Sequence, residues 1–227
     1  MSNKRMSIMA LMLSLCSLYA STSFNNSDAI RFKEEYEKLN GMPRSEKAFA
    51  LYNTTYISED NPAVYIDMSV ASDLLTSGSA IIYFGANWCP WCRNILPILI
   101  CEMDRNDVDT LYYVDVTKDR DSFIFSDNDV YKEKDGSSAY YRILDILDLY
   151  LEDYTLTDDQ GKIINLGEKR LLIPFIVTVS NGEIINAYLA TYPLEDNQSK
   201  YDPLTPYQID YLHNLFDDTL KNCKSYL

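Results

Sequence analysis

Two apolar runs without a charged residue, Ala80 to Phe84 and Leu171 to Val179, suit strands buried on both faces. Shorter aromatic and β-branched runs at Ala63 to Ile66 and Leu111 to Val116 predict two further strands, and Tyr52 to Ile57 reads as an extra edge strand. Elsewhere the spacing turns helical. From Asp28 to Asn40 the apolar positions are Ile30, Phe32, Tyr36 and Leu39; Ser27 or Asp28 caps the start, and Gly41 with Pro43 stops the run. Ser69 to Ser77 predicts a short helix ended by Gly78. A third helix follows Cys92 through Ile95, Leu96, Ile98, Leu99 and Cys101 to about Asp104. A fourth spans Ser137 to Asp153 on Tyr141, Leu144, Ile146, Leu147, Leu149 and Leu151. The last opens at Thr205-Pro206, turns Ile209, Leu212, Leu215, Phe216 and Leu220 inward, and ends near Cys223. Two hairpins complete the pattern, one from Tyr154 to Leu166 turning at Gln160-Gly161, the other pairing Phe175–Val179 with Ile184–Leu189. The charged stretch from Lys118 to Asp135 reads as a loop.

At the N-terminus, Lys4 and Arg5 precede an uncharged apolar run from Met6 to Leu18, and Tyr19-Ala20-Ser21 offers a small residue for cleavage. Residues 1–20 therefore read as a secretory signal peptide. An uncleaved anchor is the alternative, although the run is short for a span of about 20 apolar residues. Lipidation of Cys16 is disfavoured by the bulky Leu15 before it. The chain carries 20 Lys and Arg against 34 Asp and Glu, a net charge of −14. Such a surface repels nucleic acid and anionic lipid. The roughly 200 residues beyond the leader suffice for one substantial core.

The chemistry sits where the first buried run ends. Its strand passes through Gly85-Ala86-Asn87-Trp88 into Cys89-Pro90-Trp91-Cys92-Arg93. A strand that turns at once into a helix leaves Cys89 at the helix N-terminus, where unsatisfied backbone N–H groups and the positive end of the dipole favour a thiolate. Cys92, one turn further in, is close enough to close a small disulfide ring. Thiol–disulfide exchange requires that arrangement, a low-pKa attacking sulfur with a resolving sulfur beside it. The competing reading is a purely structural disulfide, which a strained short ring serves poorly. Arg93 either favours the thiolate electrostatically or points to solvent. His213 is the only histidine and reads as a surface residue on the last helix, so neither a metal site nor a Cys–His hydrolase has much to draw on. No phosphate loop or dinucleotide fingerprint is present, so no cofactor is expected and electrons must pass to and from other proteins.

These residues resemble the thioredoxin superfamily. Besides Trp88-Cys89-x-x-Cys92 after an apolar strand, Pro97 falls five residues after Cys92, where that family's active-site helix carries a kink-forming proline. Ile173-Pro174 is similar to its cis-proline strand, and Gly182, eight residues after Pro174, to its hairpin. The resemblance implies an α/β thioredoxin fold, a mixed central sheet flanked by helices. It also implies that Pro174 is cis, faces Cys89, and leaves the backbone of Ile173 free to pair with a client peptide. An ordinary trans proline on an edge strand is the alternative. Pro90 and Trp91 resemble the proline–aromatic pair of glutaredoxins more than the glycine–proline pair of thioredoxin. Six residues before the first cysteine, where thioredoxin has a buried carboxylate, this chain has Tyr83, so proton transfer falls to water or a phenol. In that fold the helices carrying Cys101 and Cys223 share one side of the sheet, which allows a second, structural disulfide; two buried free thiols are the alternative. A narrower likeness, to thioredoxin-like bacteriocin-transport accessory proteins of Gram-positive bacteria, rests on Phe32 to Glu37, Tyr83-Phe84-Gly85 and Tyr154 to Asp158.

The expected organisation is a leader at 1–20, an N-terminal extension at 21–60 packing on the core, and a thioredoxin-like domain at 61–227 with an insertion at about 117–170. The expected function is that of a thiol–disulfide oxidoreductase, secreted or tethered at the outer face of the cytoplasmic membrane. Cys89 is its nucleophile and Cys92 its resolver, with Trp88, Pro90, Trp91, Arg93 and Tyr83 around them and Ile173 with Pro174 at the docking edge. Its partners are cysteine-containing client proteins and a redox partner protein, without nucleic acid, and with membrane contact only through an uncleaved N-terminal segment. A peptide-binding accessory module on the same fold, with the cysteine pair secondary, is the alternative.

Overall fold

A computed structural model describes residues 26–45, 51–126, 129–158 and 160–223, the side chains of Asn26 and Cys223 excepted. The expected leader at 1–20 lies outside the described residues. In chain order the elements are α1 (Asn26–Glu37), β1 (Ala63–Tyr65), α2 (Met68–Ser77), β2 (Ala80–Gly85), α3 (Pro90–Arg105), β3 (Leu111–Asp115), β4 (Ser122–Ser126), β5 (Asp129–Lys134), α4 (Ser138–Leu147), β6 (Glu152–Thr157), β7 (Ile163–Arg170), β8 (Phe175–Ser180), β9 (Glu183–Leu189) and α5 (Pro206–Cys223).

The two charge-free runs form the centre. β2 and β8 are buried at every position and pair antiparallel, in a five-stranded sheet of order β1-β3-β2-β8-β9. β1, β3 and β2 run parallel, and β9 folds back on β8 through Asn181-Gly182, both at positive φ. Only glycine suits the second of these positions, because a Cβ on Gly182 would press into the carbonyl of Thr76 at the end of α2. α2 packs with α4 and α3 with α5, so the mixed sheet is flanked by helices. α1 lies against β1. It sends Phe32 and Tyr36 into the core, where they meet Tyr113 of β3, and each such buried ring contributes about 2 kcal/mol of apolar transfer.

Register decides what meets at the sheet's end. Phe84 lies opposite Phe175, and Gly85 is paired with Asp115. The turn after β2, the residues before β8 and the loop after β3 therefore converge on one place.

Four expectations are corrected. Tyr52 to Ile57 is extended but forms no strand of the sheet: Tyr52 bonds through its backbone to Gly41 and Met42, and beyond it the backbone is bonded to side chains, with Asn53 O accepting from Arg93 and Thr55 exchanging both of its backbone bonds with Asn40. Lys118 to Asp135 contains the β4–β5 hairpin, which carries its own two-stranded ladder apart from the main sheet. α4 stops at Leu147; a 3-10 turn follows at Asp148–Tyr150, Leu149 is 91 % exposed, and the chain is drawn into the β6–β7 pairing from Glu152 onward. On α5 Ile209 faces solvent, whereas Leu212, Phe216 and Leu220 are buried.

Candidate active site

Cys89 is the N-cap of α3, and Pro90 occupies the first helical position, where its missing N–H costs nothing. Cys89 has extended backbone angles, so its sulfur lies over the amides of Trp91 and Cys92. The neutral thiol makes no formal cap bond with them, yet both N–H groups favour its charged form. The Cys89 thiol donates to the carbonyl of Ile173 at 3.6 Å, and the Ile173–Pro174 peptide bond is cis. Ile173 and Pro174 are both buried against the cysteine turn.

The two sulfurs are polarised in opposite directions. Cys89 is held below the ordinary thiol range, first by a hydrogen bond from Cys92, then by the helix amides and the charge of Arg120, against the cost of its burial. Cys92 has no exposure at all; burial and the neighbouring Cys89 push it well above that range. The nucleophile-and-resolver assignment of a C-x-x-C pair depends on such a split.

Around Cys89 stand aromatic and cationic groups from distant parts of the chain. Trp88 donates its indole N–H to Thr117 Oγ1 at 3.0 Å, and the Arg120 guanidinium stacks over its ring at 5.4 Å. On the other side Trp91 meets Tyr192 edge-on at 4.8 Å, and Tyr192 in turn accepts a bond from Asn94. Behind Arg120, Arg170 forms a buried ion pair with Asp121 at 2.8 Å and covers Tyr154 at 3.8 Å. Asp121 neutralises Arg170, whereas the Arg120 side chain has no carboxylate partner among the described residues.

Arg93 does not point to solvent. It is 1 % exposed and bonds to Tyr36 O at 2.6 Å, Asn87 O at 3.1 Å, Asn53 O at 2.9 Å and Asn40 Oδ1 at 2.5 Å. The guanidinium is a staple that fastens the N-terminal extension to the helix of the cysteine pair. Its acceptors are all uncharged, and burial lowers its pKa. Tyr83 is fully buried and faces Cys92. Cys101 is a free thiol and exposed, which removes it from the core; its expected partner Cys223 has a side chain outside the described ones. His213 is half-buried, its Nδ1 at 2.5 Å from the buried Glu102 carboxylate, rather than free on the surface.

Sequence reasoning missed Arg120, Tyr36 and Tyr192. Arg120 stands in a run of mixed charges, and no local pattern tells which of its neighbours faces the cysteine. Among the described residues no group of three or more His, Cys, Asp or Glu side chains is placed to hold a metal, and no helix is long and apolar enough to cross a membrane. Comparison with protein-family models, with curated proteins and with solved structures gives no significant match.

Proposed function

We propose that the chain is an extracytoplasmic thiol–disulfide oxidoreductase of thioredoxin type, acting on protein cysteines. The observation that carries this reading is the opposite polarisation of Cys89 and Cys92 at the start of α3, with the Cys89 sulfur turned to the Ile173 carbonyl beside cis Pro174. The Cys89 thiolate attacks a client disulfide. One client sulfur becomes bonded to Cys89 and the other leaves with the electron pair. Cys92 then attacks Cys89, the client departs as a dithiol, and the protein keeps the Cys89–Cys92 disulfide. The reverse sequence oxidises a client dithiol, and a redox partner protein restores the starting state. Trp88, Trp91, Tyr192 and Arg120 frame the approach to Cys89, a surface suited to an extended peptide rather than to a small cofactor.

Equilibration of the pair in defined thiol buffers, with mass readout of the bridged form, tests the reading. A potential near about −270 mV fits a reductase and one near about −120 mV a disulfide-introducing oxidase. A pair that never bridges contradicts both. In that case the second reading, a binding module, gains from a separate cleft of about 810 Å³ between the extension and α3, bounded by Tyr56, Pro62, Pro97 and Cys101 and away from the cysteine pair. Client handling that survives replacement of both Cys89 and Cys92 by alanine would favour that module.

A further inference from the structure

The resolving sulfur must become an anion in the least hospitable place in the molecule. Cys92 is fully buried, and the titratable groups around it are Cys89 on α3, Tyr83 on β2, Tyr36 on α1 and Tyr113 on β3, with Asp115 against Tyr113. No cation faces it. Yet the hydroxyls of Tyr83 and Tyr36, both completely buried, make no hydrogen bond of good geometry among the described residues, although Tyr83 lies against both the Cys92 thiol and Tyr36. A buried hydroxyl without a partner is costly, and two converging on one sulfur need an explanation.

Local geometry fixes their aim. The Tyr83 ring stacks on Tyr113 at 5.7 Å and curls over Gly85, so close that a Cβ there would lie 2.7 Å from the Tyr83 hydroxyl. Glycine at that position leaves the phenol room beside the cysteine turn. Tyr36 is held from behind, where its own carbonyl accepts from Arg93. The Ala86 N–H also points at the Cys92 sulfur.

We propose that the Tyr83 hydroxyl is a hydrogen-bond donor kept for the Cys92 thiolate, with Tyr36 as the residue that positions it. The assignment rests on the oxidoreductase reading. In the thiol state its contact with Cys92 falls short of a well-formed hydrogen bond. During resolution the Cys92 sulfur attacks Cys89, the Cys89–client bond breaks, the electron pair stays on the client sulfur, and the proton of Cys92 ends on that sulfur. The negative charge that builds on Cys92 before bond formation is met by Tyr83 O–H and Ala86 N–H. An interaction present only as charge develops lowers the barrier rather than stabilising the resting state.

Reaction with an aromatic disulfide such as 5,5′-dithiobis(2-nitrobenzoate), followed by stopped-flow absorbance, separates the steps. The first released thiolate reports attack by Cys89 and the second reports resolution by Cys92. In Tyr83→Phe the second phase is expected to slow about tenfold or more, the loss of one hydrogen bond to a charged group, and its pH midpoint to rise. The first phase should stay within about twofold. Tyr36→Phe should slow the second phase less. Both variants should melt no lower than the wild type, because the hydroxyl removed makes no well-formed hydrogen bond in the thiol state. A second phase unchanged in rate and pH profile overturns the assignment, as does a lowered melting temperature, which would show the hydroxyl engaged at rest. A wild-type protein with no second phase overturns the oxidoreductase reading itself.

Discussion

The two sides of the cysteine pair are built from different materials. Outward, Cys89 meets residues at the ends of elements: Trp88 before α3 and Trp91 in its first turn, Arg120 after β3, Ile173 before β8 and Tyr192 after β9. Inward, Cys92 meets ring upon ring, with Tyr83, Tyr113 and Tyr36 contributed by β2, β3 and the N-terminal extension. One turn of helix separates a sulfur whose charge is welcomed by helix amides and a cation from a sulfur whose charge is resisted by burial. Identical side chains acquire opposite roles through surroundings alone. Chain topology delivers the difference, since strand ends carry loops to one side and strand interiors carry aromatic rings to the other.

The interior side gives the largest expected effect. Burial holds Tyr36, Tyr83 and Tyr113 well above the ordinary phenol range in the folded chain. A folded pKa raised above the unfolded one gives stability that is complete below about pH 10 and is lost as pH rises further. Each such group makes the unfolding free energy fall by about 1.4 kcal/mol per pH unit above about pH 10, and Tyr65, Tyr140 and Tyr192 are raised as well. Urea midpoints measured between pH 9 and 11 read the summed slope, and Tyr83→Phe should remove one group's share of it.

Next comes the staple behind the rings. Arg93→Met takes the guanidinium away from the carbonyls of Asn53, Asn87 and Tyr36, the last of which keeps only the long bond from Leu39 N–H, at a cost of about 3 kcal/mol measured by denaturant unfolding. Because the extension carries Tyr36, the same variant should expose Cys92 to alkylation while Cys89 changes little, which erodes the contrast from the inside. Erosion from the outside is the smallest effect. Arg120→Gln removes the cation beside Cys89, so the midpoint of its alkylation should move up in pH and its rate at neutral pH fall about threefold. The difference from wild type should shrink as salt is added.

Much of the inner side was legible in the sequence. The charge-free runs became β2 and β8, Asn181-Gly182 became the turn between β8 and β9, and Pro90 with the flanking cysteines marked the start of α3. Tyr83 was identifiable as the residue standing where the resembling family has a carboxylate. Its orphaned hydroxyl was not, since that depends on Tyr36, 47 residues earlier, and on the space left by Gly85. The outer side was scarcely legible at all. Arg120 has no local signature, and β5 is a strand with mostly exposed polar side chains, so its alternation carries no burial signal. Arg93 was misread because a charged residue after Cys92 suggests solvent, whereas its partners are carbonyls brought together only by the fold.

The split between the sulfurs is tested most directly by alkylating the reduced protein with a limiting amount of iodoacetamide across a pH series and assigning the modified cysteine by peptide mass. Cys89 is expected to react first, with a midpoint below that of an ordinary thiol, and Cys92 to stay unmodified until the pH is far higher. Equal labelling of both residues with one common midpoint, or labelling of Cys92 before Cys89, would contradict the split.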